Sequence, residues 1–291
     1  MTGIQHTERR KYTQAAGTAY SLPHDEDERS RLALQSNLLL RTYDSKVLHA
    51  PVELKDQDWV LETGTGTGIW LQDLLKEIST NARCIGIDLE SSLFPSPSTL
   101  PPNLAFKRHS VINLPREWIN KFTVVHQRLL IAGLRRQEWE QAIREMYRVL
   151  KPGGWLQLLE MKIWVAGPAL AKHRELLYKF SDDQGTMWRD ITARIPEFLR
   201  QSGFVNVRCD TRQTPLGSWA GKDGIDGSEN LMGIMRGLKT PILKGGGYGI
   251  VKTEADYDEL VEQVRVEMDN TSGSRTAWSM FLAQKPEKSH L

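Results

Sequence analysis

Cysteine is nearly absent: the 291-residue chain has two, Cys84 and Cys209. Such a pair supports neither a disulfide framework nor a cysteine-rich metal centre. Both fall in predicted strands and are expected to be buried, reduced thiols, with no metal bound. Long apolar runs are missing too. None approaches the ~20 residues of a membrane span, and residues 1–10 hold no apolar signal-like stretch. A cytoplasmic protein without membrane contact is therefore expected. Nor does either charge dominate: 38 basic and 36 acidic residues leave a net charge of +2, which gives no electrostatic reason to expect a nucleic-acid partner. What remains is an ordinary globular balance, 40% hydrophobic and 25% charged, long enough for one large domain with insertions or for a domain plus a lid. No internal repeat or low-complexity segment is evident.

The chain is organised around the stretch from Trp59 to Trp70. Trp59, Val60 and Leu61 read as a short buried strand that Glu62 ends. Gly64, Gly66 and Gly68 then form a turn where backbone can approach a ligand with no Cβ in the way. Leu71, Leu74, Leu75 and Ile78 fall at helical spacing, so a helix starts near Gly68. A strand, a glycine turn and a helix N-terminus aim free N–H groups at a nucleotide-type cofactor. A second strand, Arg83 to Asp88, ends in an acid where a ribose-binding carboxylate is expected. The dinucleotide fingerprint would need a glycine at position 69, which is Ile69.

The pattern Glu62-x-Gly64-x-Gly66-x-Gly68 with Asp88 behind it resembles the class I S-adenosylmethionine-dependent methyltransferases. Two further runs are similar to the fungal branch of that family, which includes the secondary-metabolism regulator LaeA and small-molecule tailoring enzymes. They are the Tyr20-x-Leu22-Pro23 segment with its following Glu-x-x-Arg-Leu and Gln35, and the run Val125 to Leu130; the run Arg148 to Trp155 resembles class I methyltransferases at large, as a structural marker. The resemblance spans about Tyr20 to Gln284. It implies a Rossmann-like α/β fold, a seven-stranded sheet with helices on both faces, in which an antiparallel seventh strand lies between the fifth and sixth. It further implies S-adenosyl-L-methionine as cofactor, with Tyr20, Glu62, Gly64, Thr65, Gly66, Gly68, Asp88, Leu89, Ser110, Val111 and His126 as cofactor-binding candidates. The family often places an acid after its third strand for the adenine amino group. Here His109 and Ser110 stand instead, so Ser110 or backbone around Val111 is expected to serve.

Elsewhere, Pro23 followed by four acids within residues 25–28 marks a helix start, because acids favour the positive end of a helix. That helix should turn Leu32, Leu39 and Tyr43 inward. Residues 91–104 read as a loop, Leu104 to Val111 as a third strand and Phe122 to Ile131 as a fourth strand with its exit. Trp139, Ile143, Met146 and Leu150 share a helix face, which Lys151-Pro-Gly-Gly154 stops before a fifth strand, Trp155 to Glu160. Residues 162–201 look helical. Gly203 to Cys209 and Trp278 to Gln284 read as the sixth and seventh strands. The roughly seventy residues between these last two are too many for a hairpin loop. They contain Gly245 to Gly247 and a helix carrying Tyr257, Leu260, Val261, Val264 and Met268.

Two regions follow: residues 1–50, a helical cover over the cofactor site, and residues 51–291, the methyltransferase domain with a lid insertion at about 210–277. Tyr20, Trp219, Met232, Met235 and Tyr248 are the side chains these covers offer a ligand, and the glycines near Gly246 are the expected hinge. Transfer of the sulfonium methyl mainly requires alignment of two reactants. A base helps where a hydroxyl must lose a proton, and His126, Glu160 and His173 are the catalytic candidates. The expected activity is O- or N-methylation of a small-molecule acceptor by a monomer or homodimer. A regulator acting through protein partners and a fold reused for cyclisation are the alternatives.

Overall fold

The computed structural model describes residues 10–12 and 19–287. The rest of the expected cover before residue 19 and the last four residues of the expected domain lie outside the described residues. Seven strands form one sheet: β1 (Trp59–Thr63), β2 (Arg83–Asp88), β3 (Leu104–Arg108), β4 (Phe122–Arg128), β5 (Leu150–Val165), β6 (Val205–Pro215) and β7 (Arg275–Gln284). Their order is β3-β2-β1-β4-β5-β7-β6. The first five are parallel, and β7 runs antiparallel to both β5 and β6.

Strand side chains alternate between faces, and each face has its own apolar layer. Val60, Cys84 and Val124 pack with Trp70, Leu71 and Leu74 of α2 (Ile69–Glu77). Leu61, Ile85 and Val125 pack in the other layer with Trp139, Ile143 and Met146 of α3 (Arg136–Val149) and Phe198 of α5 (Ile191–Gln201). Strands covered on both faces read as near-continuous apolar runs, which is why β1, β2 and β4 were legible. α1 (Glu26–Thr42) starts at Asp25, whose side chain accepts the Glu28 amide, and carries three acids in its first turn. Leu39 and Tyr43 are buried as expected, whereas Leu32 is only partly buried and faces the cavity described below. α4 (Pro168–Gln184) follows β5.

The insertion differs from its sequence reading. It holds two helices, α6 (Gly221–Lys244) and α7 (Glu254–Asn270). α6 was illegible because five glycines and Pro241 depress its helix propensity. Close packing explains them: a Cβ on Gly227 would lie 2.3 Å from the Pro215 carbonyl oxygen, and one on Gly233 would lie 2.7 Å from Arg31 Cδ. Met232 and Met235 are fully buried in the core with Tyr257 and Val264 of α7, not in the cavity. Gly245 to Gly247 join α6 to α7 rather than the insertion to the sheet, so they do not sit where a hinge for the whole insertion would. Arg31 donates to Asn230, and Arg41 to Asp223 and Asp226, so α1 and α6 pack as one unit. Cys84 is buried, but Cys209 is exposed: it lies on β6, the largely uncovered outer strand. No helix among the described residues is long and apolar enough to cross a membrane, and no cluster of three potential metal ligands occurs among them.

Candidate active site

At the C-terminal ends of β1, β2 and β4 lies a cavity that runs on beneath the N-terminal segment and α1. The glycine turn forms one wall. Gly64, Gly66 and Gly68 have φ of 64°, 53° and 70°, a left-handed conformation that L side chains resist. That requirement explains the alternating spacing. The Gly66 amide donates to Asp88 Oδ2 at 2.9 Å and the Glu90 amide to Oδ1 at 3.1 Å. Asp88 therefore stands fixed on the cavity wall, with burial pushing its pKa up.

The predicted cofactor residues separate into two groups. Tyr20, Gly64, Thr65, Gly66, Asp88, Leu89, Ser110 and Val111 line the cavity. Burial, with Glu28 and Asp88 nearby, raises the Tyr20 pKa far above the ordinary phenol value, so its hydroxyl stays neutral. Glu62, Gly68 and His126 do not line it. Glu62 sits behind the turn, accepts the Thr65 hydroxyl and is pushed up to about 7 by burial, with Arg128 opposing. Gly68 caps α2 and lies against Phe106. His126 stands two residues before the end of β4, on the same face as Val124. Its ring therefore enters the layer under α2 and stacks on Trp70 at 3.8 Å, with its pKa driven well down by burial.

The other two base candidates are also off the cavity. Glu160 is buried within β5, where Oε1 accepts the Leu130 amide at 2.8 Å and braces the turn after β4. Burial pushes its pKa up to about 8, against the pull of the Leu130 and Ile131 amides. His173 lies between α4 and α7, 3.2 Å from the Tyr257 hydroxyl, with its pKa pushed down to about 4 by burial.

Comparison with known proteins gives this geometry a family. Residues 60–154 match a model described as a methyltransferase domain. The chain is 27% identical over 269 residues to the N-methyltransferase tcpN of Claviceps purpurea, covering 89% of this chain and 93% of that one. It is 36% identical over 260 residues to the N-methyltransferase sirN of Leptosphaeria maculans, covering 84% and 90%. The chain belongs to this family of S-adenosylmethionine-dependent methyltransferases. Its fold is also that of Haemonchus contortus phosphoethanolamine N-methyltransferase 2 in complex with S-adenosyl-L-methionine, at a TM-score of 0.52 and 16% identity. That match covers 89% of this chain and about half (52%) of the other.

S-adenosylmethionine is accordingly the cofactor of this methyltransferase, and the cavity fits it. The Asp88 carboxylate has no ion pair among the described residues, so it could accept two adjacent ribose hydroxyls. Arg31, Gln35 and Arg128 also line the cavity; they lie in the runs that resemble the family but were not named as site residues. Sequence reasoning missed the rest of the opposite wall, Leu134, Met161, Trp188, Ile234 and Trp278. These five come from separate elements and had no local signal. Asp88→Ala is expected to weaken cofactor binding by about 1–3 kcal/mol, the scale for losing hydrogen bonds to a charged group. Calorimetric titration checks this, and unchanged affinity would remove Asp88 from the site.

Proposed function

We propose that this methyltransferase acts on a nitrogen of a small, largely apolar acceptor, and that the cofactor occupies the half of the cavity bounded by Tyr20, Gly64 to Gly66, Asp88, Leu89, Ser110 and Val111. One observation carries the reading. Every ionisable side chain on the lining lies in the N-terminal segment, on α1 or beside the ends of β2 to β4. The wall away from them carries Leu134, Met161, Trp188, Ile234 and Trp278. An apolar enclosure with few polar contacts suits a small-molecule ligand.

The cofactor, when bound, supplies an electrophilic methyl group. What the chain supplies is alignment and exclusion of water. A nitrogen with a free lone pair can attack without prior loss of a proton, whereas a hydroxyl acceptor gains from a base. His126, Glu160 and His173 all lie off the cavity, and the histidines that line it, His24 and His109, stand in the N-terminal segment and beside the end of β3 rather than on the apolar wall, which favours nitrogen. The N-methyltransferase names of tcpN and sirN support the same choice.

The test is incubation with methyl-labelled cofactor and a fungal metabolite extract, followed by assignment of the labelled atom by NMR. Label on nitrogen of an apolar product is expected. Label confined to oxygen would overturn the nitrogen reading, and label confined to protein or nucleic acid would overturn the small-molecule reading.

A further inference from the structure

Two arginines line the cavity, and their surroundings differ; Arg128 also borders a smaller neighbouring pocket with Ser36 and His126. Arg31 is fully engaged: Nε and Nη2 fork onto Glu28 at 2.8 and 2.6 Å, and Nη1 donates to Asn230 at 2.9 Å. Arg128, the last residue of β4, makes one hydrogen bond, from Nη2 to Ser36 Oγ at 3.2 Å. It has no carboxylate within ion-pair distance among the described residues. Burial pulls its pKa below the ordinary guanidinium value, and the fields of Glu62 and Asp73 offset only part of that. Glu62 is itself driven toward its neutral form. An uncompensated cation in a low-dielectric site is costly to the fold, so its place on the lining calls for an anion brought by a ligand.

We infer that Arg128 anchors the methionine carboxylate of S-adenosylmethionine. Asp88 ends β2 and Arg128 ends β4, with β1 between them. Two strand spacings set those ends about 10 Å apart. The ligand thus meets an acid at its ribose end and a forked cation at its amino-acid end, with the glycine turn between. A planar guanidinium matches a carboxylate with two parallel N–H donors. Ser36, on α1, accepts one N–H of the guanidinium.

The test compares two cofactor-like probes by calorimetric titration, S-adenosylhomocysteine and 5′-methylthioadenosine, which lacks the amino-acid portion. In Arg128→Met the affinity ratio of the first to the second should fall roughly ten- to hundred-fold, the scale of a charge-assisted bond. Retained methylthioadenosine binding shows that the cavity is intact. Arg128→Lys, which keeps a cation but not the fork, should lower the ratio several-fold, and it serves as the readout if the methionine variant does not fold. Decarboxylated S-adenosylmethionine, which keeps the ammonium group, should bind the parent and the lysine variant with equal affinity. An unchanged ratio in both variants would overturn the assignment, as would an equal loss for the decarboxylated probe. A carboxylate on the acceptor would give a third pattern, unchanged homocysteine binding with a raised acceptor KM, and that too would overturn it. Because the readout is cofactor binding, it stands apart from whether nitrogen or oxygen is methylated.

Discussion

Glu160→Gln is expected to raise thermal stability above about pH 8 and to leave methyl transfer within a few-fold of the parent. Burial moves the carboxyl from 4.5 to about 8 in the folded protein. Between those two values the folded chain holds a proton that the unfolded chain has released. Stability therefore falls as pH rises through the window and levels off above it. Glutamine has no proton to lose and keeps an oxygen for the Leu130 amide. The variant and the parent should be close near pH 4.5 and diverge progressively toward pH 8, by an amount on the order of a few kcal/mol. Thermal melts across pH 4.5–9 measure the divergence. The kinetic half of the expectation follows from the same shift. A carboxyl that is mostly protonated at neutral pH and aimed at backbone is a poor general base, and loss of a true base would cost about 10²–10⁴ in rate. A rate loss of that size would show that Glu160 works as a base, and parallel stability profiles for the two proteins would show that its carboxyl ionises at the ordinary value.

The contrast between Glu160 and Asp88 illustrates what the sequence could and could not reveal. Both are acids in or at the end of a predicted strand. Asp88 closes β2 beside a glycine turn whose Gly66 amide holds its carboxylate on the cavity wall. That local geometry is written in the spacing. Glu160 sits inside a strand that runs on to Val165, five residues beyond its predicted end, because β7 pairs with β5 as far as Val165. The position of His126 was illegible for a related reason: a shift of one residue exchanges the faces of a strand, and only the register with β1 and β5 fixes its ring under Trp70. The apolar half of the cavity was illegible in principle. Leu134, Met161, Trp188, Ile234 and Trp278 come from five separate segments, and no local period brings them together.

Gly68 offers the most local test of the glycine turn. Its φ is 70°, and an added Cβ would lie 2.3 Å from Phe106 Cζ. Phe106 also presses on Gly86, where a Cβ would lie 2.5 Å from its ring. The ring is thus a wedge between the turn and β2. Gly68→Ala meets two costs: about 1–2 kcal/mol for a left-handed alanine, and about 1–3 kcal/mol for displacing the wedge. The sum is roughly 2–5 kcal/mol of folding stability. The two contributions can be separated. In a Phe106→Ala background the steric cost should vanish while the backbone cost remains, so Gly68→Ala should destabilise that background by only about 1–2 kcal/mol. Denaturant unfolding of the parent, both single variants and the double variant gives the cycle. Additive effects would mean that the ring yields freely and that the glycine serves backbone conformation alone. In that case cofactor affinity, measured in the same four proteins, should track the backbone cost and be indifferent to Phe106.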